Sequence, residues 1–299
     1  MTTERWTPVR DDSIRLPDGR ALAYAEWGDP DGRPVFFFHG MPGSRLFFPD
    51  PDVATQEHIR VITVDRPGMG RSDPQPGHIT GDWPTDVTAL ADALGLDTFG
   101  VAGWSAGTCY VFACAAMIPD RLTRAAGTTS AAAMRYLFDQ DGKIREELVD
   151  DDERLILTTL DEQGREAADA RSAADAAEWV ESLQEDPGLL VDGDDDPGDE
   201  WLLEDADRKA AFVGSIREAV RQGADAMAPQ FVAQVAPWGF RLEDITIPVH
   251  VWAGANDRTT PPDQMRLVAE KIPNVEFTVW PDVGHAGIAK YLRDVLREL

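Results

Sequence analysis

Short apolar runs of strand length recur in the first and last parts of the chain, most of them bounded by proline, glycine or an acidic residue. Uninterrupted apolar runs of this length are typical of strands that are buried on both faces of a parallel sheet. The pattern predicts six such strands, in PVFFFHG (34–40), RVITVD (60–65), TFGVAGW (98–104), RLTRAAGTTS (121–130), IPVHVWAGAND (247–257) and VEFTVWPDVGH (275–285). Alternating residues around the turn Pro17-Asp18-Gly19 predict two further strands, paired as a hairpin, within residues 13–27.

Helical patterns lie between these strands. Apolar residues recur at helical spacing in residues 84–96, 261–272 and 286–299, and the apolar residues 107–119 predict a helix that is buried on nearly all sides. Strands that alternate with helices favour right-handed crossovers and a mostly parallel sheet. We therefore predict an α/β fold with an eight-stranded, mostly parallel sheet flanked by helices.

Residues 131–244 break this alternation. The segment has helical patterns, such as that of residues 208–223, but it contains no convincing strand. We predict a core domain made of residues 1–130 and 245–299. Residues 131–244 are predicted to form a helical cap that rests on the carboxyl edge of the sheet.

The chain is strongly acidic. Its 299 residues include 54 acidic and 28 basic residues, a formal net charge of −26, and such a charge repels nucleic acid and anionic membranes. No apolar run approaches the roughly 18 residues that span a bilayer, and the amino terminus lacks the apolar segment of a secretion signal. We expect a soluble, cytoplasmic protein, a monomer or a homodimer, whose partner is a small molecule.

One acidic run, DGDDDPGDE (192–200), resembles the start of a calcium-binding loop. The glycine that such a loop requires is replaced by Pro197, and the position of its bidentate glutamate is occupied by Leu203. We therefore predict a solvated loop of the cap instead of a cation site. Cys109 and Cys114 fall in one predicted helix and predict neither a disulfide nor a zinc site.

The stretch GVAGWSAGTCY (100–110) places Ser105 directly after a predicted buried strand and at the start of a helix. In open α/β sheets, ligands bind beyond the carboxyl ends of the strands. Gly103 and Gly107 lie two residues to either side of Ser105, as a tight strand-to-helix turn requires. The same turn directs the amide of Ala106 at a developing oxyanion. The pattern G-x-S-x-G also arises by chance, so Ser105 needs partners elsewhere in the chain.

A serine hydroxyl becomes a nucleophile when a positioned base takes its proton. Among the five histidines, His285 follows the last predicted strand, at the same edge of the sheet as Ser105. Asp257 follows the preceding strand, where its carboxylate can orient the imidazole. Asp263 lies in the next helix and Asp282 is better placed as a loop acceptor, so both are weaker candidates. The sequence therefore predicts a catalytic triad of Ser105, His285 and Asp257.

The loop at residues 39–44, after the third predicted strand, is the expected source of a second oxyanion donor. Gly40 permits an unusual backbone turn, and Pro42 has no N–H group. The amide of Met41 is therefore the expected donor beside that of Ala106. We expect the substrate pocket to be lined by four residues of this region: His39, Gly40, Phe47 and Trp104.

These motifs resemble those of the α/β-hydrolase-fold serine hydrolases, in the branch that includes esterases and proline iminopeptidases. The matching positions are His39-Gly40-x-Pro42-Gly43, Asp65-Arg66-Pro67-Gly68-x-Gly70-x-Ser72, Gly103-Trp104-Ser105-Ala106-Gly107, Asp257 and His285, in the family's order. The resemblance covers residues 1–130 and 245–299 and implies the fold and the triad. It also implies a mainly structural role for the loop at 65–73, where the alternative is an anion bound by Arg66 or Arg71.

The implied chemistry is acyl transfer through an acyl-enzyme on Ser105, without a metal ion or an organic cofactor. Apolar side chains at Met41, Phe47 and Trp104 favour an ester, thioester or lactone with an apolar acyl part. One alternative is an aminopeptidase, although proline iminopeptidases typically have glycine at the position of Met41 and tryptophan directly after the serine. The other alternative is a non-hydrolytic member of the fold: a ligand-binding protein, a lyase or a cyclase.

Overall fold

The computed structural model describes residues 4–130, 151–191 and 196–299. Within these ranges the chain forms a sheet of eight strands: β1 (Arg10–Arg15), β2 (Ala21–Gly28), β3 (Arg33–Phe38), β4 (Ile59–Val64), β5 (Phe99–Trp104), β6 (Leu122–Thr128), β7 (Val249–Gly254) and β8 (Val275–Trp280). They lie in the order β1-β2-β4-β3-β5-β6-β7-β8. Strand β2 is antiparallel to both of its neighbours, and the other pairs are parallel. The predicted α/β fold is confirmed.

The same ranges contain ten α-helices: α1 (Pro51–Gln56), α2 (Trp83–Ala93), α3 (Gly107–Met117), α4 (Asp151–Gln163), α5 (Arg165–Glu185), α6 (Trp201–Glu204), α7 (Ala206–Ala219), α8 (Ala224–Val235), α9 (Pro262–Ala269) and α10 (Gly287–Glu298). The four helices predicted in the core correspond to α2, α3, α9 and α10, each slightly shorter than predicted. Helix α2, for example, ends at Ala93 because Gly95 adopts a positive φ of 71°, a conformation that terminates helices.

Strand β3 shows why its sequence is apolar on both sides. Phe36 and Phe38 pack into the cluster that includes residues of α2 and α3, whereas Val35 and Phe37 pack into the cluster that includes residues of α1 and α10. Burial of one such phenylalanine stabilises the fold by about 2 kcal/mol. Because helices cover both faces of the sheet, the loops that follow the parallel strands meet at its carboxyl edge.

The insertion, residues 131–244 between β6 and β7, is described over 151–191 and 196–244. These two ranges contain helices α4 to α8 and no strand. Several of its bulky residues are packed, as Trp179 against Phe231 at 6.0 Å and Trp238 against Phe240 at 5.5 Å between ring centroids. The division into a core and a cap stays a prediction, since residues 131–150 and 192–195 lie outside the described part.

A buried polar network joins helix α8 to the rest of the protein. Gln230 accepts a hydrogen bond from the Tyr110 hydroxyl at 2.8 Å and donates to the Pro67 carbonyl at 3.0 Å and to His78 Nε2 at 2.9 Å. His78 Nδ1 donates to the Gln75 carbonyl at 3.1 Å. These contacts require a neutral imidazole, and burial lowers the pKa of His78 to about 4.

We expect acid to destabilise the protein through His78. The unfolded chain takes up a proton at this residue near pH 6.5, whereas the folded chain does so only near pH 4. The contribution of His78 is therefore fully present above about pH 6.5 and decreases as the pH falls towards 4, by about 1.4 kcal/mol per unit. The wild type should exceed His78→Asn in unfolding free energy at pH 7, and this difference should become smaller by about 2 kcal/mol at pH 5. Denaturant titrations of both proteins measure it. A difference that does not change with pH would contradict this expectation.

Candidate active site

Ser105 occupies the tight turn between β5 and α3. Its φ is 54°, a left-handed conformation that is uncommon for a residue with a side chain. A Cβ atom at Gly103 would lie 2.6 Å from the Gly107 carbonyl oxygen, and one at Gly107 would lie 2.0 Å from the Phe38 carbonyl oxygen. Side chains at these two positions would collide with the backbone, so the flanking glycines permit the turn that presents Ser105.

Three side chains at the carboxyl edge form a continuous hydrogen-bonded chain. Ser105 Oγ lies 2.9 Å from His285 Nε2, and His285 Nδ1 lies 3.0 Å from Asp257 Oδ2. The Asp257 side chain is fully buried, whereas 19% of the His285 side chain is exposed. The imidazole is therefore accessible to a small molecule, while the carboxylate is sealed from solvent. The structure brings together the three residues of the predicted triad.

The two weaker candidates for the acid lie elsewhere. Asp282 accepts hydrogen bonds from Lys290 Nζ at 2.6 Å and from the Tyr291 hydroxyl at 2.5 Å. Asp263 is an exposed residue of the first turn of α9. Neither carboxylate contacts His285 in the described structure, which leaves Asp257 as the partner of the imidazole.

Asp257 has two further donors. The Thr260 amide donates to Oδ1 at 2.6 Å, and the Thr129 hydroxyl donates to Oδ2. Thr129 follows β6 with a positive φ of 41°, and its amide donates to the Trp252 carbonyl at 2.7 Å. Thr129 is a residue of the site that the sequence patterns did not predict, because the triad pattern requires a carboxylate and not a hydroxyl beside the imidazole. The signal available in the sequence was a hydroxyl residue directly after β6, the strand that lies beside β7 and the Asp257 loop.

The loop at residues 39–44 lies against the serine. A Cβ atom at Gly40 would be 3.3 Å from Ser105 Cβ. Among the described residues, no acceptor is found for the amide of Met41 or for that of Ala106. Both amides are thus available to a ligand oxygen, and their role as oxyanion donors stays a prediction.

Arg66 holds the backbone of this loop in place. Its guanidinium is fully buried and donates to the carbonyls of His39 at 2.5 Å and Gly40 at 2.9 Å. It also lies over the Tyr110 ring, 5.1 Å from the centroid. Arg71 pairs with Asp11. These contacts support the structural interpretation of the loop at 65–73, because the Arg66 guanidinium donates to two carbonyls of the loop at 39–44 and Arg71 is paired with Asp11.

The four predicted pocket residues lie in different surroundings. Gly40 and Trp104 adjoin the triad: Trp104 Nε1 donates to the His285 carbonyl at 2.9 Å, and the two rings are 6.1 Å apart. The His39 ring is buried, with Nδ1 2.8 Å from the Gly40 carbonyl, and burial lowers its pKa well below the usual value. Contact of Gly40, Trp104 and His39 with a substrate stays a prediction.

Phe47 lies further back. It stacks on Trp6 at 6.3 Å and is only 2% exposed. Phe212 of α7 lies between it and the site, with its ring 5.0 Å from that of Phe47 and 5.9 Å from that of Trp104. The sequence predicted the helix around Phe212 but not its contact with Trp104, because helical periodicity does not show where a helix docks.

Two aspartates near the end of the acidic run are buried. We define the tip of the insertion as residues 196–199. Within it, Asp196 is 8% exposed and Asp199 is 7% exposed. Asp199 accepts the amides of Gly284 at 2.9 Å and Ala286 at 2.7 Å, and burial raises its pKa to about 6. The prediction of a solvated loop is wrong for these two residues, because backbone amides beside His285 supply their partners. Glu200, the last residue of that run, is exposed, and residues 192–195 lie outside the described part.

The described residues contain no group of three or more His, Cys, Asp or Glu side chains arranged to ligate a metal ion. In the same ranges, no helix combines the length and the apolar character that crossing a bilayer requires.

Comparison with known proteins agrees with this geometry. A model of the alpha/beta hydrolase fold family matches residues 33–289. The chain belongs to that family. The solved structure of a thermophilic esterase from Thermogutta terrifontis resembles it with a TM-score of 0.63 at 22% identity, over 97% of this chain and 96% of that one.

Two curated relatives match shorter stretches. A non-heme chloroperoxidase of Streptomyces lividans is 41% identical over 86 residues, which are 28% of this chain and 31% of the relative. A proline iminopeptidase of Xylella fastidiosa is 33% identical over 125 residues, which are 39% of this chain and 38% of the relative. The chain thus matches about a third of the length of each relative.

Proposed function

We propose that the protein is a serine hydrolase that cleaves a carboxylic ester, thioester or lactone with an apolar acyl part. The observation that carries the proposal is the hydrogen-bonded chain from Ser105 through His285 to the buried Asp257. Membership of the alpha/beta hydrolase fold family supports it. A fold alone does not determine an activity, so the argument rests on these three side chains.

In the first half of the proposed reaction, Ser105 Oγ attacks the substrate carbonyl carbon. His285 Nε2, which lies 2.9 Å away, takes the hydroxyl proton, and the Asp257 carboxylate stabilises the imidazolium. The amides of Met41 and Ala106 donate to the oxyanion, each lowering the barrier by about 3 kcal/mol. His285 then protonates the leaving group, and the acyl group remains on Ser105.

In the second half, water replaces the leaving group. His285 takes a proton from the water molecule, which attacks the acyl carbonyl carbon and releases the acid. The proton then returns to Ser105. The 19% exposure of the His285 side chain fits this step, because the same imidazole must reach both a leaving group and water.

The surroundings of Ser105 favour an apolar acyl part. The ring of Trp104 lies beside that of His285, the ring of Phe212 lies beside that of Trp104, and Met41 belongs to the loop that lies against the serine. Apolar walls bind acyl chains through the area that they remove from water. We therefore expect catalytic efficiency to increase with acyl chain length until the pocket is filled.

Aminopeptidase activity is the second candidate, and the match to a proline iminopeptidase over 39% of the chain favours it. The departures at Met41 and Ala106, where the proline iminopeptidases typically have glycine and tryptophan, argue against it. A panel of p-nitrophenyl esters, thioesters, lactones and amino-acyl p-nitroanilides separates the two candidates. We expect the highest kcat/KM for esters with apolar acyl chains. Faster hydrolysis of prolyl anilides would contradict the ester proposal, and turnover of none of these compounds would favour a non-hydrolytic protein.

Thr129 provides a test of the acid's environment. We expect Thr129→Val to lower kcat for ester hydrolysis by about tenfold, because the hydroxyl is one of the donors that fix the Asp257 carboxylate, and a hydrogen bond to a charged group contributes about 1.5–3 kcal/mol. Valine has the same shape, so the packing at the end of β6 is preserved. Thr129→Ser keeps the hydroxyl and is the matched control, with a kcat close to that of the wild type. Equal losses in both variants would contradict the assigned role.

A further inference from the structure

The backbone around His285 is held by the tip of the insertion. Asp199 takes the amides of Gly284 and Ala286, and Asp196 Oδ2 takes the amide of His285 at 3.2 Å. The backbone amides of three consecutive residues, 284–286, are thus bound by two carboxylates from a segment that lies at least 85 residues earlier in the chain. The position of His285 in space depends on where the tip docks.

The tip also contacts the residues on either side of Asp257. Asn256 Nδ2 donates to the Pro197 carbonyl at 3.0 Å. Arg258 donates to the Asp196 carboxylate through its amide at 3.1 Å and through Nε at 2.7 Å. One short segment therefore binds both of the loops that supply the base and the acid.

Glycines make this contact close. A Cβ atom at Gly198, which has a φ of 94°, would lie 2.0 Å from the Asp282 carbonyl oxygen. A Cβ atom at Gly284 would lie 2.1 Å from Asp196 Cβ. The tip and the His285 loop thus approach backbone to backbone, with a glycine on each side at the point of contact.

We propose that Asp196 and Asp199 are positioning residues for the reaction, and that docking of the tip assembles His285 and Asp257 into the working triad. This inference rests on the proposed function. The inference goes beyond that function because it assigns to the insertion a part of the catalytic geometry, in addition to control of access to the pocket.

Two physical effects support the inference. The first is geometric: a displacement of about 1 Å in a catalytic group can cost about 10²-fold in rate, and the tip determines the path of the backbone at residues 284–286. The second is electrostatic: fixed negative charge near a positive charge that develops in the transition state stabilises it. Asp196 and Asp199 place two carboxylates against the amides of residues 284–286, close to the positive charge that develops on the imidazole during the reaction.

The test uses three substitutions in the tip of the full chain. Asp199→Asn keeps the shape but puts an NH2 group against one of the two amides, since each Asp199 oxygen accepts one of them. Asp196→Asn also keeps the shape, and it removes the negative charge that pairs with Arg258 Nε and lies against the His285 amide. Gly198→Ala leaves every charge in place and adds a Cβ atom where the Asp282 backbone lies. The matched control is Asp205→Asn, since Asp205 also lies in the insertion and accepts two backbone amides, those of Asp207 at 2.9 Å and Arg208 at 3.0 Å.

Each variant is assayed with p-nitrophenyl butyrate over pH, with a fluorophosphonate probe for the rate at which Ser105 is labelled, and by thermal unfolding. We expect the three tip variants to lower kcat and the labelling rate by about ten- to a hundredfold, with KM changed by less than about threefold. Asp205→Asn should keep the kcat and the pH profile of the wild type, with little change in unfolding temperature, because asparagine caps a helix about as well as aspartate and one side-chain oxygen accepts both amides.

The outcomes separate this inference from the proposed function. If wild-type Ser105 does not react with the probe, the proposed function fails. A second outcome is that wild-type Ser105 reacts, and that folded Asp199→Asn and Gly198→Ala are labelled at the wild-type rate and hydrolyse the ester with the wild-type pH profile. The tip then only attaches the insertion to the core, and the inference is overturned. If Asp199→Asn does not fold, the folded Gly198→Ala and Asp196→Asn decide the question by the same criteria.

Discussion

Replacement of Ser105 by alanine is expected to lower kcat for ester hydrolysis by about 10⁵- to 10⁶-fold, the size of loss known for the nucleophile of a serine hydrolase. The substitution removes the one atom that forms the bond to the acyl group, and leaves His285 without the hydroxyl at 2.9 Å. The residual rate should be that of a water reaction assisted by the remaining groups. Steady-state kinetics with p-nitrophenyl butyrate measure the loss.

The matched control is Ser130→Ala. Ser130 is another buried serine near the carboxyl edge, and its Oγ lies 3.3 Å from Cys109 Sγ. This variant should retain activity within about threefold of the wild type, as expected of a residue that makes no transition-state contact. Turnover by Ser105→Ala at a tenth of the wild-type rate or more would show that Ser105 is not the nucleophile.

Replacement of Asp257 by asparagine is expected to lower kcat by about 10⁴-fold. The Thr260 amide donates to Oδ1 at 2.6 Å, so the oxygen of an asparagine is held at that position. Its NH2 group then takes the place of Oδ2 and faces His285 Nδ1 at about 3 Å, where it can only donate. This imposes the tautomer with the proton on Nε2, which cannot accept the proton of Ser105.

Asp263→Asn is the control for this second substitution, because it makes the same chemical change in the adjoining helix α9. We expect its kcat to equal that of the wild type. The pH dependence adds a further check: activity of Asp257→Asn should recover in part at high pH, where hydroxide can supply the missing base. Full activity of Asp257→Asn at neutral pH would mean that another group orients His285.

The core fold and the meeting of Ser105, His285 and Asp257 could be predicted from the sequence because each depends on a local pattern. Apolar runs such as residues 34–40 reveal strands that are buried on both faces, and parallel strands bring their carboxyl ends to one edge. Ser105, Asp257 and His285 each follow such a strand directly, so their meeting did not require knowledge of any long-range contact.

Other residues of the site could not be predicted in this way. Asp199 belongs to an acidic run that is typical of a solvated loop, and nothing local shows that it binds two amides 85 and 87 residues further along the chain. Phe212 occupies a regular helical position whose orientation depends on how α7 docks. Thr129 donates to Asp257 because β6 lies beside β7, which is a property of the strand order.

The insertion contacts the site from a second side as well. Ser215 of α7 accepts the Ser44 amide at 2.9 Å, and Glu218 pairs with the buried Arg45 at 2.7 Å. Ser44 is the last residue of the loop that carries Met41, and Arg45 follows it directly, so the insertion is bound both to the expected oxyanion loop and to the loop of His285. The described contacts therefore link its position to both parts of the proposed catalytic machinery.

The most direct test of the central claim is peptide mapping by mass spectrometry after reaction with a fluorophosphonate. The account predicts one adduct per chain, on the peptide that contains GWSAG, with Ser105 as the modified residue and with complete loss of esterase activity. It also predicts no adduct in Ser105→Ala. An unmodified wild-type protein, or an adduct on a different residue, would contradict the assignment of Ser105 as the nucleophile.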